Sequence, residues 1–233
     1  MATQENRFMS WRDMIFTPLI SGSIIGLAVF VTWLLYERFS LDSFLCFSSF
    51  FILQTIFTLV VLKILRIFLP MKEGVYRYET HPIDCFGWNL YGFLCIVHLN
   101  LFYDKILLPI PFRKGFYQLM GASIGGGIVP ISGQLLDPQL ITLGANAHIG
   151  EDAMLTPHAV TSDNQLYIAK ITIGENVMIG AKSTLMPGVT VGDGAMVNAM
   201  ALVTMNTTIP PNEIWGGIPA RKLKTIESSG FDN

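Results

Sequence analysis

From Leu143 onward an aliphatic residue returns every six positions, or at a multiple of six. The column runs Leu143, Ile149, Leu155, Ile173, Ile179, Leu185, Val191, Val197, Val203 and Ile209. Four positions after most of these stands a small residue or valine: Ala147, Ala153, Ala159, Val177, Ser183, Val189, Ala195 and Ala201. An α-helix needs apolar residues at spacings of three and four, and this stretch lacks them. Six residues suffice for a short strand and a tight turn. Three such units make one triangular coil of about 18 residues, with the aliphatic and small residues pointing into the prism. Glycine and asparagine fall at the corners, where positive φ or close backbone approach is required. A single coil cannot bury its own core, so the coils must stack, each on the one before.

The units LGANAH, IGEDAM, IGENVM, IGAKST, LMPGVT and VGDGAM, with the closing segment IPPNEIWGGIPARKLK (Ile209–Lys224), resemble the hexapeptide-repeat acyltransferase superfamily. The resemblance covers Gly121–Lys224. It implies a left-handed parallel β-helix and an acyltransferase that takes acetyl-coenzyme A or another acyl-coenzyme A as donor. It also implies a homotrimer with coenzyme A lying along the outside of the coils between subunits. Carried over residue by residue, Gly180, Ala181 and Lys182 of IGAKST, with Ala199 and Thr204, line the pantetheine arm. Arg221 and Lys222, near the tail, face the phosphates, because charged donors suit phosphate oxygens. The chain departs from the family's pattern where Asn198-Ala199-Met200 replaces a Gly-Ala-Gly and where Met205 replaces a lysine. Methionine there suits either an apolar ligand wall or ordinary packing.

The column fails at Thr161 and Tyr167 and resumes at Ile173. Leu155 and Ile173 stand three hexads apart, one full coil, so the polar stretch is either a distorted coil or a loop that returns in phase. Superfamily members carry an extended loop here with a histidine that acts as general base, and His158 of LTPHAV matches it. The chemistry needs such a group. A hydroxyl or amine attacking a thioester must lose a proton, and an imidazole with a reference pKa of about 6.5 accepts one near neutrality. The tetrahedral oxyanion needs a donor such as a backbone N–H, and no covalent intermediate is required. Asp163 and Asp137 are the carboxylates positioned in sequence to orient the ring. His148 reads as a turn residue. The γ-class carbonic anhydrases, also relatives, place three histidines on zinc; only His148 and His158 fall within these coils, so no metal is expected.

The N-terminal part is built differently. Hydrophobic residues make up 51% of the chain and charged residues 14%, and the excess is concentrated in two runs. Met14–Tyr36 carries no charge from end to end, and Phe44–Leu62 is a second uncharged run. About 20 such residues cross a bilayer as a helix, so a transmembrane hairpin is expected over residues 1–70. Arg7 and Arg12 precede the first run, and Lys63, Arg66, Lys72 and Arg77 follow the second, against Arg38 alone in the connection. The positive-inside rule then places both termini and the coils in the cytoplasm, at a bacterial-type inner membrane. Residues 71–120 include Trp88–Met120, rich in aromatics with scattered charges, which reads as an interfacial helix, a cap on the coils, or both. His81 and His98 fall here, facing an acceptor head group or serving an interfacial role. Residues 121–233 form the β-helix domain with its tail.

A net charge of −2 gives no sign of nucleic-acid binding. Cys46, Cys85 and Cys95 make no disulfide or zinc pattern. The expected protein is a membrane-bound O- or N-acyltransferase acting on a membrane lipid or lipid-linked acceptor. The competing reading is a non-catalytic β-helix scaffold anchored by its hairpin. A transport role has little support, because neither run carries a buried charge.

Overall fold

Every one of the ten hexad aliphatics is buried, none more than 1% exposed, and the small-residue column is buried with them from Ala147 to Ala201 except at Ala159. The structure, a computed structural model, describes residues 9–103, 108–163 and 165–226. Arg7, Asp104 and Lys105 lie outside the described residues. The chain divides into two compact units, one of residues 1–71 and 76–104, the other of residues 72–75 and 105–233. The membrane-proximal stretch expected as one piece over 71–120 is thus divided between them.

In the second unit the coils form three parallel sheets, one per side of the prism. Ile173 pairs in register with Val191 and Val191 with Ile209; Ile179 pairs with Val197 and Val197 with Trp215; Leu185 pairs with Val203. Each separation is three hexads, the expected coil. Burying each of the aliphatic side chains in these pairs contributes roughly 1.5–3 kcal/mol. The corners are left-handed at a fixed period: Asn146, Asp152, Asn176, Lys182, Met200, Asn206 and Asn212 all have φ between 54° and 60°. Glycine serves close approach instead. A Cβ on Gly150 would stand 2.7 Å from the Ile179 carbonyl oxygen and the Ala181 nitrogen.

The interruption changes the stacking. Leu143 pairs with Ile173, Ile149 with Ile179 and Leu155 with Leu185, each pair five hexads apart rather than three. Ile173 therefore does not stack on Leu155. It occupies the next side of the prism, and the two extra hexads leave the coil without turning any corner. They form an antiparallel hairpin, His158–Val160 against Leu166–Ile168. This hairpin is not wholly polar, since Leu166 and Ile168 are buried. A short strand beginning at Gly74 extends the sheet beside Leu166–Ile168. Glu73 accepts the Lys170 backbone N–H at 3.2 Å and pairs with its Nζ at 3.5 Å.

A short helix, Ile110–Leu119, belongs to the same unit. Proline at 109 cannot donate to a preceding helix and begins a new one. Arg113 is buried and donates to the Leu108 and Ile131 carbonyls at 3.0 and 3.4 Å; Lys114 Nζ donates to the Gly125 and Gly127 carbonyls at 2.7 and 3.1 Å. The helix thus satisfies carbonyls of the first, irregular coil, as a cap does. At the other end, Glu213–Gly217 and Ala220–Thr225 form an antiparallel hairpin beyond the last coil.

The first unit is three helices: α1 (Trp11–Phe39), α2 (Ser43–Phe68) and α3 (Pro82–Tyr103). Ser10 and Asp13 make a capping box at the start of α1, and Asp42 accepts the Leu45 N–H at 2.9 Å at the start of α2. Both are long and apolar enough to cross a membrane, and most of their large apolar residues are exposed. The expected interfacial segment is therefore two helices in different units, α3 in this one and Ile110–Leu119 with the coils.

Candidate active site

Where the chain leaves the prism after Leu155, Thr156 and Pro157 lead into the hairpin and His158 is its first strand residue. The corner is fixed by backbone bonds. The Thr156 N–H donates to the Leu185 carbonyl at 3.0 Å and the Ala169 N–H to the Pro157 carbonyl at 2.9 Å. Thr156 Oγ1 donates to the His158 carbonyl at 2.9 Å. The histidine enters from a rigid edge rather than from a loop tip.

Asp137 meets it there. Leu135 pairs with Leu155, which makes this coil two positions longer than three hexads. The added length carries Asp137 past the corner in a left-handed conformation, φ 44°, ahead of the short 3-10 turn Pro138–Leu140. Asp137 Oδ2 bonds His158 Nδ1; the carboxylate side chain is 5% exposed and the imidazole 24%. An ionised carboxylate only accepts, so the pairing assigns the proton to Nδ1 and makes Nε2 the basic nitrogen of the neutral ring. Asp163 stands at the hairpin turn, where it accepts from Thr161 Oγ1 at 2.6 Å and from Gln165 Nε2.

Sequence reasoning did not single out the ties that hold the hairpin. Tyr167 Oη donates to Asn206 Oδ1 at 2.8 Å, joining the returning strand to a corner two coils on. The signal was present, for Tyr167 stands where the hexad calls for an aliphatic residue.

The residues carried over for the donor are spread along two corners. Gly180, Ala181 and Lys182 turn one corner, and Ala199 turns the same corner one coil later; the Met200 N–H donates to the Ala181 carbonyl at 2.8 Å. Lys182 and Ala199 are exposed. Thr204 lies on the corner that the hairpin leaves from, its hydroxyl 3.2 Å from that of Thr207. Arg221 and Lys222 are on the tail hairpin, opposite Gly216 and Trp215. Lys222 Nζ donates to Glu213 Oε1 at 2.5 Å, and Trp215 Nε1 donates to Glu213 Oε2 at 2.8 Å. Lysine first, then the indole, hold the Glu213 carboxyl below its ordinary range. His148 is exposed on an outer sheet face in register with Met178. Among the described residues no group of three or more His, Cys, Asp or Glu is arranged to hold a metal ion.

The family model for the bacterial transferase hexapeptide (six repeats) matches residues 170–204. A putative acetyltransferase, YvoF, of Bacillus subtilis is 38% identical over 93 residues, 40% of this chain and 52% of the relative. Galactoside O-acetyltransferase of Escherichia coli is 34% identical over 98 residues, 40% of this chain and 47% of the relative. A longer match, at 26% identity over 160 residues, covers 68% of this chain and 12% of a delta-poly-L-ornithine synthetase of Acinetobacter baumannii. The chain thus spans about half the length of the first two relatives and a small part of the third. The buried hexad columns, the triangular coils they build and these matches agree: residues 170–204 carry the bacterial transferase hexapeptide repeat, in a chain that is similar over part of its length to acetyltransferases.

Proposed function

We propose that the protein is a membrane-bound acyltransferase that moves an acyl group, an acetyl group in the first instance, from coenzyme A to a hydroxyl or amine of a lipid-linked or membrane-associated acceptor. The observation that carries this reading is the His158–Asp137 pair at the corner where the hairpin leaves the prism. Asp137 holds the imidazole by Nδ1. Nε2 takes the proton from the acceptor as its oxygen or nitrogen attacks the thioester carbonyl. A tetrahedral oxyanion forms, stabilised by backbone N–H donors. It collapses with cleavage of the carbon–sulfur bond, and the imidazolium returns the proton to the departing thiolate. The products are an ester or amide and free coenzyme A, with no covalent enzyme intermediate.

Gly180, Ala181 and Ala199, small and on one corner, leave room for a pantetheine arm, with Thr204 at the neighbouring corner. Lys182 and Arg221 offer charge to its phosphates. Lys222 shares its charge with Glu213 and contributes less. Acetyltransferase names among the relatives support the donor class, and a homotrimer follows from the family resemblance. The two long apolar helices support anchoring with both termini and the coils on the cytoplasmic side, where acyl-coenzyme A is available. An anchored transferase gains most when its acceptor is itself in the membrane.

The test is thiol release from acetyl-coenzyme A by the full chain in vesicles supplemented with a membrane lipid extract. His158→Ala should lower acceptor-dependent release by roughly 10²–10⁴-fold, the usual share of a general base, with the oligomer unchanged by light scattering. Unchanged release would leave the anchored scaffold as the better account.

A further inference from the structure

The three-helix unit contains a polar cluster that the proposed reaction does not use. His98 of α3 is 4% exposed. Its Nε2 lies 2.7 Å from Ser21 Oγ of α1; its Nδ1 lies 3.2 Å from Thr58 Oγ1 and 3.4 Å from Gln54 Nε2, both of α2. Ser21 and Thr58 are buried as well. A second tie joins α3 to α1 elsewhere: Asn89 Nδ2 donates to the buried Asp13 Oδ1 at 3.0 Å.

The spacing of these ties sets direction and depth. Asp13 to Ser21 is eight positions and Asn89 to His98 is nine, or about 12 and 13.5 Å of helix at a rise of about 1.5 Å per residue. The matched spans mean that α3 runs alongside α1 in the same direction. Ser21 lies ten positions past Trp11, where α1 starts, and Thr58 lies ten positions before Phe68, where α2 ends. Within those stretches Met14 begins the uncharged part of α1 and Leu62 ends that of α2, so the two hydroxyls lie about 10 and 6 Å inside the uncharged spans, within a hydrocarbon core of about 30 Å but short of its middle. A helix lying flat in the interface crosses the spans and cannot keep two ties about 12 Å apart along α1.

The opposite face of α3 completes the picture. Phe93, Ile96 and Val97 are exposed, Ile96 at 68%, while Leu90, Tyr91, Leu94, Cys95 and Leu99 are buried. No charged residue follows Asp84 in this helix. This exposed face is apolar, as are the exposed surfaces of α1 and α2.

We propose that α3 is a third membrane-embedded helix, entering beside α1 from the side of its N-terminus and reaching into the hydrocarbon core, with Phe93, Ile96 and Val97 against lipid acyl chains. The inference rests on α1 and α2 crossing the membrane. A histidine at that depth is costly unless paired, and the hydroxyls of Ser21 and Thr58 engage both ring nitrogens. The cluster is then the pin that holds α3 inside the bilayer.

The full chain, in phosphatidylcholine vesicles, is labelled with either of two lipids, one bearing a diazirine at the end of its acyl tail and one bearing it on the head group. Adducts are mapped by mass spectrometry. Tail-probe adducts on Ile96 and Val97, alongside those on Ile25 of α1 and Ile56 of α2, are the expected result. Tail adducts on Ile25 and Ile56 with only head-group adducts on Phe93–Val97 overturn the proposal and leave the two spans standing. Loss of tail adducts from all three helices overturns the spanning reading, and this proposal falls with it.

Discussion

Two carboxylates carry opposite kinds of work, and their neighbours set the difference. Asp137 faces an imidazole, whose tautomer it sets in the proposed reaction. Asp137→Asn keeps the shape but offers an amide where a carboxylate stood, and the ring is then free to take the wrong tautomer. Turnover should fall by roughly tenfold to 10³-fold, less than for His158→Ala, with the donor KM unchanged, because the orienting group acts only on the transferring proton. Steady-state kinetics with varied acetyl-coenzyme A separates the two parameters. Glu213 faces Lys222 and an indole and works on stability. Its folded pKa is depressed from an ordinary value of 4.5, so the ionised form favours the folded state. That contribution is fully present above the unfolded value and is lost as pH falls through the lower folded value. Glu213→Gln should therefore lower the melting temperature at pH 7 and narrow the gap to the parent as the pH drops below about 4. Thermal scans across that range measure it. Asp137 was one of two carboxylates named from the chain. Its proximity to His158 depends on a coil two positions too long, a length that the hexad rule does not predict.

At the scale of the element, the corner column is the most regular feature of the coils and also the most unevenly filled. Asparagine fits a left-handed corner because its side chain hydrogen-bonds locally, whereas a long unbranched side chain gains no such bond. Met200 occupies this conformation at φ 60° and is exposed. Met200→Asn should stabilise the fold by about 0.5–1 kcal/mol, read as a higher denaturant midpoint at constant m-value. The hexad columns were legible because each inward position is nearly sealed and admits only an aliphatic or small side chain. The hairpin was legible only as an interruption. Two extra hexads preserve a count of six, so periodicity alone cannot tell a distorted coil from a strand pair that bypasses the corners. Leu166 and Ile168 do alternate inward, with the period of two that a strand has, but so short a strand does not announce itself in a polar setting.

Across the whole molecule, the chain's two compositions became two units, but the seam was not where composition changes. Residues 72–75 leave the helices and join the coils, while residues 76–104 return to the helices. Nothing in the aromatic and basic residues of 88–120 announces that division, because the ties involved are a few polar contacts, Asn89 with Asp13 and His98 with Ser21, Thr58 and Gln54, between residues far apart in sequence. The two ends of the prism were easier to read in part, the tail through its proline and glycine pattern and the capping helix through no such signature. Their presence has a consequence for life in a crowded cell. A stack of parallel coils has no intrinsic length, and each open end is a template on which another chain's coils can add. The helix Ile110–Leu119 closes one end. At the other, the strand Ala220–Thr225 runs against the direction of the coils and sets Arg221, Lys222 and Lys224 along its edge, charges that discourage strand addition. The same terminal hairpin that is proposed to offer a cation to a phosphate thus also makes the prism a finite object, which keeps a self-stacking repeat from becoming a fibre.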